Sequence, residues 1–340
     1  MKRVSGAMVA GAALACAIGL LGAVNAPARD QAIPRGGKVV AKVPIPAGTG
    51  AFAVGEGAVW AVSDTGPVLT RIDPDRNAVV ASIKLKLKSV CPAEAPGCGD
   101  AAAGDGGVWV THVDDDTVSR IDPGTNAVTA TIKVGPRPLG IAVSQRAVWV
   151  ANGGAPSISR IDPSTNHVVA TIRLGPPTAA TDRMAVAAGG GRVWVTMTKP
   201  DAVMRIDPTT NKVSATIKFS SLRSGEPCGF IASTRSAVWA AGAHCIASSG
   251  YGVVTRIDPH KNRVTRIVAG FKAPIGLALG FGSLWVADLD AKQIDRVNPR
   301  TGRIVARLRV GGLPIRLGIG FGSIWVRDDS GRVLRIRPQR

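Results

Sequence analysis

The sequence is poor in histidine, in acidic residues and in aromatic residues other than tryptophan. Its 340 residues include four His, one Tyr and six Phe. Proteins that bind single-stranded nucleic acid stack bases on aromatic side chains, so this shortage argues against specific nucleic-acid binding. The 23 acidic residues are outnumbered by 42 Lys and Arg, which gives a formal net charge of +19. Such a surface attracts polyanions non-specifically, whatever the fold.

Sustained helical periodicity is also missing after the first 28 residues. The chain has 41 Gly and 23 Pro, which interrupt it too often for helices. Without a helix, no Gly-rich run lies between a strand and a helix, so no phosphate-binding loop is predicted. No nucleophile elbow is present either. These absences predict an all-β protein without the common phosphate-binding or hydrolase motifs.

What the chain has is a repeat. All seven tryptophans fall in Val-Trp-Val-Ala type runs spaced 40 to 49 residues apart, and in five copies an Arg follows eleven residues after the Trp. This period is typical of propellers and solenoids. The seven copies centre on Trp60, Trp109, Trp149, Trp194, Trp239, Trp285 and Trp325.

Each copy contains four short strands. In the third copy, runs rich in β-branched residues cover 139–143, 147–151, 158–161 and 168–172, with turn residues between them. Four strands per copy make a propeller blade. The sequence therefore predicts a seven-bladed β-propeller with four-stranded blades.

An Asp-Pro-x-x-Asn phrase joins the third and fourth strands in five copies, for example from Asp73 to Asn77, and the sixth copy ends in Gly302. Proline fixes φ in a turn, and Asn and Gly share a tolerance of positive φ. Because the phrase recurs in most blades, we interpret it as turn chemistry. The tryptophans are interpreted in the same way, as packing anchors between neighbouring blades.

The two ends of the chain predict how the ring closes. The last copy ends after its third strand at 333–336, and residues 38–43 resemble a missing fourth strand. We expect the N-terminal strand to complete the last blade, which would also cover an exposed sheet edge. The propeller then spans 38–338, after a short linker at 29–37.

The first 28 residues have the pattern of a signal peptide. Lys2 and Arg3 precede an apolar stretch from Ala7 to Val24, and small residues end at Ala28. Cleavage after Ala28 predicts an exported protein that is secreted, periplasmic or associated with the cell envelope. The alternative is an uncleaved anchor, which would be the only membrane contact.

Four cysteines remain after the signal peptide, an even number that favours disulfides in an exported protein. Cys91 and Cys98 bracket an inserted loop, whereas Cys228 and Cys245 lie before and after Trp239. We predict one disulfide within each pair. Neither pair has the ligand spacing of a zinc site.

The phrase Gly-x-x-Pro-x-Gly-Ile-Ala-x-x-x-x-x-Val-Trp-Val-Ala-Asn at 135–152 resembles the YVTN-type and virginiamycin B lyase-like families of seven-bladed propellers. The resemblance implies the propeller fold and, in the lyases, a magnesium-dependent elimination that opens a cyclic ester. That chemistry is carried by His residues after the Pro entering a blade's first strand and by a Glu shortly after a blade's Trp. Here those first positions hold Leu139, Cys228, Ile275 and Ile315, and no Glu lies three residues after any Trp. The sequence thus keeps the fold of the family and departs from the lyase's residues.

The loops that enter first strands and those that follow the tryptophan strands should share one face of the ring, around the central channel. This face is the predicted ligand site. His112, Asp288 and Asp328 are candidates for binding a hard cation or for acid/base chemistry, and the alternative is that they are solvated loop residues. The predicted face comprises Asp64, His112, Asp114, Arg137, Asn152, Arg183, Glu226, His244, Asp288, Asp290, Arg316 and Asp328.

Three functions follow from these observations. The first is a monomeric, exported binding module that engages a partner protein or an anionic cell-envelope ligand on this face, without catalysis or cofactor. The alternative is a magnesium-dependent lyase that acts on a cyclic ester. A third, an electrostatic polyanion binder, predicts affinity that collapses with salt.

Overall fold

A computed structural model describes residues 36–46, 50–63, 66–85, 99–144, 146–176, 184–198, 201–219, 227–242 and 252–339, and only the backbone of 227–229. The predicted signal peptide at 1–28 lies outside these residues, as do nearly all of the linker at 29–37 and three of the four predicted disulfide cysteines, Cys91, Cys98 and Cys245. The fourth, Cys228, is described by its backbone alone, so both disulfides stay predictions. The described residues form seven four-stranded antiparallel sheets and contain no helix.

Each sheet is one blade, and blades 1 to 6 use four consecutive strands. Blade 1 contains β2 (Phe52–Gly55), β3 (Ala58–Val62), β4 (Val68–Asp73) and β5 (Ala78–Lys84). Blade 2 contains β6 (Ala101–Gly104), β7 (Gly107–His112), β8 (Thr117–Asp122) and β9 (Ala127–Lys133). Blade 3 contains β10 (Pro138–Ser144), β11 (Ala147–Asn152), β12 (Ser157–Asp162) and β13 (His167–Arg173).

Blade 4 contains β14 (Val186–Gly189), β15 (Arg192–Thr198), β16 (Asp201–Asp207) and β17 (Lys212–Lys218). Blade 5 contains β18 (Pro227–Ser233), β19 (Val238–Gly242), β20 (Gly252–Asp258) and β21 (Arg263–Phe271). Blade 6 contains β22 (Pro274–Gly280), β23 (Ser283–Asp288), β24 (Gln293–Val297) and β25 (Ile304–Arg309). Blade 7 contains β26 (Pro314–Gly320), β27 (Ser323–Asp328), β28 (Arg332–Pro338) and β1 (Gly37–Pro44).

The ring closes as the sequence predicts. In blade 7 the N-terminal strand β1 pairs antiparallel with the C-terminal strand β28, from Gly37 opposite Pro338 to Val43 opposite Val333. The first strand of every blade contacts the first strand of the next blade, and β26 contacts β2. The first strands therefore surround the central channel, and the first and last described strands of the chain are held in one sheet.

Antiparallel order also fixes which loops share a face. We call the side with the loops that enter first strands and the loops after second strands the channel face. The opposite side carries the turns between strands one and two and between strands three and four, and we call it the hairpin face. Within the described residues, no helix combines the length and hydrophobicity needed to cross a membrane.

The seven tryptophans form the core between blades. All seven are completely buried. Trp60 of blade 1 packs with Val108, Val110 and Ile121 of blade 2, and the other clusters follow the same plan. Trp325 of blade 7 packs against blade 1, so the same contact also closes the ring. The prediction that the tryptophans anchor neighbouring blades is confirmed.

An arginine contact reinforces most of these boundaries. The Arg120 guanidinium lies 5.0 Å from the Trp109 ring centroid, and its Nη1 donates to Pro163 O at 2.6 Å and to Asn166 Oδ1 at 2.9 Å in the next blade. We call this stack and its hydrogen bonds the arginine latch. The same latch is formed by Arg71, Arg160 and Arg335, and Arg335 joins blade 7 to Asn77 of blade 1.

The Asp-Pro-x-x-Asn phrase forms the turn that the sequence predicts, and the latch gives its Asn a second use. The last residue has positive φ in all six copies, from 48° at Asn262 to 69° at Gly302. Because Gly302 has no side-chain amide, Arg256 of the preceding blade lacks the Oδ1 acceptor that Asn supplies in the other copies. Arg256 instead donates to Thr265 Oγ1 at 2.9 Å and to Ser236 O at 3.2 Å within its own blade.

The first residue of the turn phrase is held by its own loop. In Asp73, Oδ1 accepts the backbone N–H groups of Asp75 at 2.8 Å and Arg76 at 3.0 Å. These bonds favour the ionised form and lower the pKa of the Asp73 carboxyl. The repeated Asp is thus a turn residue.

Candidate functional site

Arg316 lies at the centre of the channel face. It belongs to the start of the first strand of blade 7, and its guanidinium lies 5.0 Å from the ring centroid of Phe230 in blade 5. Its Nη2 donates to Gly99 O, just before the first strand of blade 2, at 3.3 Å. Blades 2 and 5 are not neighbours of blade 7, so this side chain reaches across the mouth of the channel. A ligand on this face meets a mouth that is bridged by an arginine.

Asp100 contributes an acidic side chain that interacts electrostatically with this arginine. It precedes the first strand of blade 2, and its Oδ1 accepts the backbone N–H of Ala101 at 3.0 Å. Burial raises the pKa of the Asp100 carboxyl, and the nearby Arg316 charge partly offsets the shift. The centre of the face therefore combines a cation, an aromatic ring and an acid that resists ionisation.

Asp288, a predicted site residue, is buried at the end of the tryptophan strand of blade 6. Its Oδ2 accepts the backbone N–H of Lys272 at 2.9 Å, and its Oδ1 accepts that of Ala273 at 2.7 Å. Both carboxylate oxygens thus hold the loop that enters the same blade. A carboxylate used in this way shapes the rim of the face.

Asp328, the equivalent residue of blade 7, is also buried and fully engaged. Its Oδ2 forms an ion pair with Arg332 at 2.6 Å, and its Oδ1 accepts the Ser330 hydroxyl at 2.8 Å. The following Asp329 accepts the Leu313 N–H at 2.9 Å. Asp328 and Asp329 together therefore hold both loops of blade 7 on the channel face.

His112 ends the tryptophan strand of blade 2 with a side chain that is 0% exposed, and neither ring nitrogen has a hydrogen-bond partner among the described residues. Burial lowers its pKa to about 4, a shift that the Asp115 charge only partly opposes. His112 is therefore neutral near pH 7. It lies in a different blade from Asp288 and Asp328, and a catalytic role for these three residues stays a prediction.

The other predicted residues of the face divide into three groups. Asn152 is buried and its Nδ2 donates to Ser157 Oγ at 3.1 Å and to Ser159 Oγ at 3.0 Å. Arg137 is half-buried with φ of 54°, and Asp114 and Asp290 are exposed on loops after tryptophan strands. Asp64, Arg183, Glu226 and His244 lie outside the described residues.

Sequence reasoning missed two buried charges near this face. Arg327 is completely buried in blade 7 and donates to the backbone oxygens of Ala51 and Val62 in blade 1. Asp295 of blade 6 is completely buried, and burial together with the Asp288 charge raises its pKa to about 7. The sequence does mark Asp295 by its position in the repeat, because it stands where the first three blades carry Thr or Ser.

Chemically, the described face offers one bridging arginine, loop carboxylates that are already hydrogen-bonded, and a buried neutral histidine. Within the described ranges, no group of three or more His, Cys, Asp or Glu side chains is placed to hold a metal ion. Oxygen ligands for magnesium would have to be released from their loop contacts at Asp288 or Asp328. The magnesium site of the lyase alternative stays a prediction.

Comparison with known proteins places the chain by fold. No protein-family model matches it, and no curated protein matches it. Among solved structures, virginiamycin B lyase from Staphylococcus aureus matches with 16% identity over 88% of this chain and 99% of that chain, at a TM-score of 0.68. The Pan2 WD40 domain of Neurospora crassa matches with 12% identity over 87% and 90%, at 0.65. BamB from Moraxella catarrhalis matches with 16% identity over 86% of each chain, at 0.59.

These identities establish the fold alone. The matched propellers include a lyase and a WD40 domain, so the shared architecture does not select one activity. The chain is a seven-bladed β-propeller that shares its fold with virginiamycin B lyase, as its repeat phrase predicts.

Proposed function

We propose that this chain is an exported binding module that engages a partner protein or a cell-envelope ligand on its channel face, without catalysis. The observation that carries the proposal is that the carboxylates of Asp288 and Asp328 are engaged in contacts within the protein. Both oxygens of each carboxylate hold channel-face loops or a neighbouring side chain. Side chains fixed in this way make a rigid rim suited to recognition, because a preorganised surface loses little entropy on binding.

The bridged channel mouth supports the same function. Arg316 contacts blades 2 and 5 from blade 7, which favours a ligand that lies across the loops over one that enters the channel. Arginine and aromatic residues are enriched where binding energy concentrates at protein interfaces. Export rests on the N-terminal pattern of the sequence and is part of the proposal.

Site-directed photo-crosslinking tests this function in the organism's own exported fraction. One variant carries the crosslinker at Asp290, exposed on the channel face of blade 6, and its matched control carries it at Arg300, exposed on the hairpin face of the same blade. We expect one recurrent, stoichiometric protein or envelope polymer from position 290 and not from position 300. Equal labelling from both positions, or labelling from position 300 alone, would contradict a channel-face partner.

The fold match with virginiamycin B lyase favours the alternative, a magnesium-dependent lyase that acts on a cyclic ester. A lactone-opening assay with and without magnesium tests it directly. Turnover that requires magnesium and disappears in His112→Ala would replace the binding function. The melting temperature of that variant serves as the control for folding.

A further inference from the structure

Blade 4 departs from the other blades at the position two residues before the tryptophan. This position holds Arg192, whereas the other six blades carry a small residue there: Ala58, Gly107, Ala147, Ala237, Ser283 and Ser323. In blade 2, a Cβ added at Gly107 would lie 3.0 Å from Trp109 Nε1 and 3.1 Å from Arg120 Nε. A side chain at this position therefore borders the stack of the arginine latch. Arg192 brings a second cation to the place where the stacked arginine would lie.

The latch of blade 4 is altered accordingly. Arg205 donates from Nε to Ser214 Oγ at 2.8 Å and from Nη1 to Asn262 Oδ1 at 3.1 Å. It is not among the arginines that stack on a described tryptophan. In the part of the chain that the structure describes, Trp194 Nε1 is buried without a hydrogen-bond partner, whereas Trp109 Nε1 donates to Gly104 O at 3.1 Å. The boundary between blades 4 and 5 has thus lost the stack that fills the equivalent space in most other blades.

A cleft of about 620 Å³ lies at this boundary on the hairpin face. Among the described residues, four basic side chains line it, namely Arg192, Arg205, Arg235 and His260, and Asp207 is the one acidic residue. Asp207 is held by its own turn, where Oδ1 accepts the Thr209 N–H at 2.8 Å. Three arginines against one carboxylate leave the lining with a net positive charge before His260 is counted.

Two of the cations in the cleft have no side-chain partner among the described residues. Within the described residues, the side chains of Arg192 and Arg235 form no hydrogen bond and no ion pair. Like charges that converge without partners repel one another, and an anion that binds between them relieves the repulsion. Arginine is the side chain best suited to this task because its planar guanidinium matches two oxygens of a phosphate at once.

Two glycines shape the wall of the cleft. Gly190, with φ of 61°, packs so closely that a Cβ there would lie 2.5 Å from Arg235 Cα, which fixes Arg235 of blade 5 beside blade 4. Gly191, with φ of 75°, has no atom within 4 Å of an added Cβ. The first glycine brings the basic residues together, and the second leaves open space beside them.

We propose that the cleft between blades 4 and 5 is a binding site for a small ligand that carries two or more phosphate groups. Arg192 and Arg235 bind the phosphates, and Arg205 is positioned beside them by Ser214 and Asn262. The volume lies within the roughly 300–1,000 Å³ of small-ligand sites. The site is on the opposite side of the ring from the channel face, so it does not depend on the function proposed for that face.

Calorimetric titration of the mature protein with tripolyphosphate tests the site. The test variant is Arg192→Gln with Arg235→Gln, and the matched control is Arg300→Gln with Arg303→Gln, exposed residues of the blade 6 hairpin. Both variants lose two positive charges from the hairpin face. We expect saturable 1:1 binding that weakens by about tenfold or more in the test variant, since each lost arginine removes charge-assisted hydrogen bonds. In the control variant, we expect a change of about twofold or less.

Vesicles that contain cardiolipin, a lipid whose headgroup carries two phosphates, distinguish the source of the phosphate. If tripolyphosphate binds and the test variant loses it, the ligand is a free phosphate compound. If only vesicles bind and the same variant releases them, the phosphate belongs to a lipid headgroup. If binding weakens equally in the test and control variants, the effect comes from net charge alone and the proposed site is refuted. The absence of saturable binding to both probes would refute it as well. Unchanged melting temperatures in both variants confirm that the comparison concerns binding.

Discussion

Arg120→Gln is expected to loosen the boundary between blades 2 and 3. In the wild type, the Arg120 guanidinium stacks on Trp109 at 5.0 Å and donates to Pro163 O and Asn166 Oδ1 in the next blade. Glutamine is too short to keep both the stack and the two hydrogen bonds. The change therefore removes the complete latch while the tryptophan stays buried.

The magnitude follows from the contacts. Hydrogen bonds to a charged group contribute about 1.5–3 kcal/mol and an exposed cation–π contact about 0.5–1 kcal/mol. Because Arg120 is only half-buried, we expect the free energy of unfolding to fall by about 2–4 kcal/mol. Arg256→Gln is the matched control. The two described side-chain hydrogen bonds of Arg256 lie within its own blade and are exposed to solvent, which weakens them, so we expect a loss of about 1 kcal/mol.

Urea unfolding followed by circular dichroism measures both variants, with the slope m compared to show that the transition remains the same. Asn166→Gly completes a double-mutant cycle, because glycine keeps the positive φ and removes only the amide acceptor. Coupling of about 0.5 kcal/mol or more between Arg120→Gln and Asn166→Gly is expected. Equal losses in Arg120→Gln and Arg256→Gln, or strictly additive effects in the cycle, would refute the latch as an inter-blade contact.

Three further predictions concern buried ionisable residues. Asp288→Ala removes the acceptor for two backbone N–H groups, so we expect a loss of about 1–3 kcal/mol in unfolding free energy and faster hydrogen exchange at Lys272 and Ala273. Asp295, whose pKa is raised to about 7, binds its proton more tightly in the folded state, so its contribution to stability is lost as pH rises from about 4 to 7. In Asp295→Asn, the melting temperature should fall less steeply with pH over that range than in the wild type. An unchanged pH profile would contradict the raised pKa of Asp295. His112, whose pKa is lowered to about 4, is protonated more readily in the unfolded chain, so stability falls as pH drops from about 6.5 to 4. His112→Gln should reduce that acid sensitivity, and melts at both ends of the range measure it.

Much of the fold could be predicted because its signals are local and repeated. In blade 3 the expected strand at 139–143 is found as Pro138–Ser144, and the one at 168–172 as His167–Arg173. The positive φ at Asn77 and at Gly302 followed from the one property that these residues share. The missing fourth strand of the last copy predicted the pairing of β1 with β28.

The candidate site was predicted by position and only partly by role. The repeat located Asp288 and Asp328 at the ends of tryptophan strands, but it gave no indication that both carboxylates hold loops. Their partners lie on loops whose backbone direction depends on the folded turn. The repeat marks Asp295 as unusual by its position, but its burial and its raised pKa follow only from the folded surroundings.

By itself, the sequence determined the number of blades, the four strands of each, the turn conformations and the closure of the ring, since these depend on spacing along the chain and on the preferences of single residues. The tertiary structure alone decided that Arg316 of blade 7 reaches blades 2 and 5, and that Arg192, Arg205 and Arg235 line one cleft. The physical reason is that the closed ring brings together residues far apart in the sequence. Their charge and burial follow from that proximity, which no periodic pattern encodes.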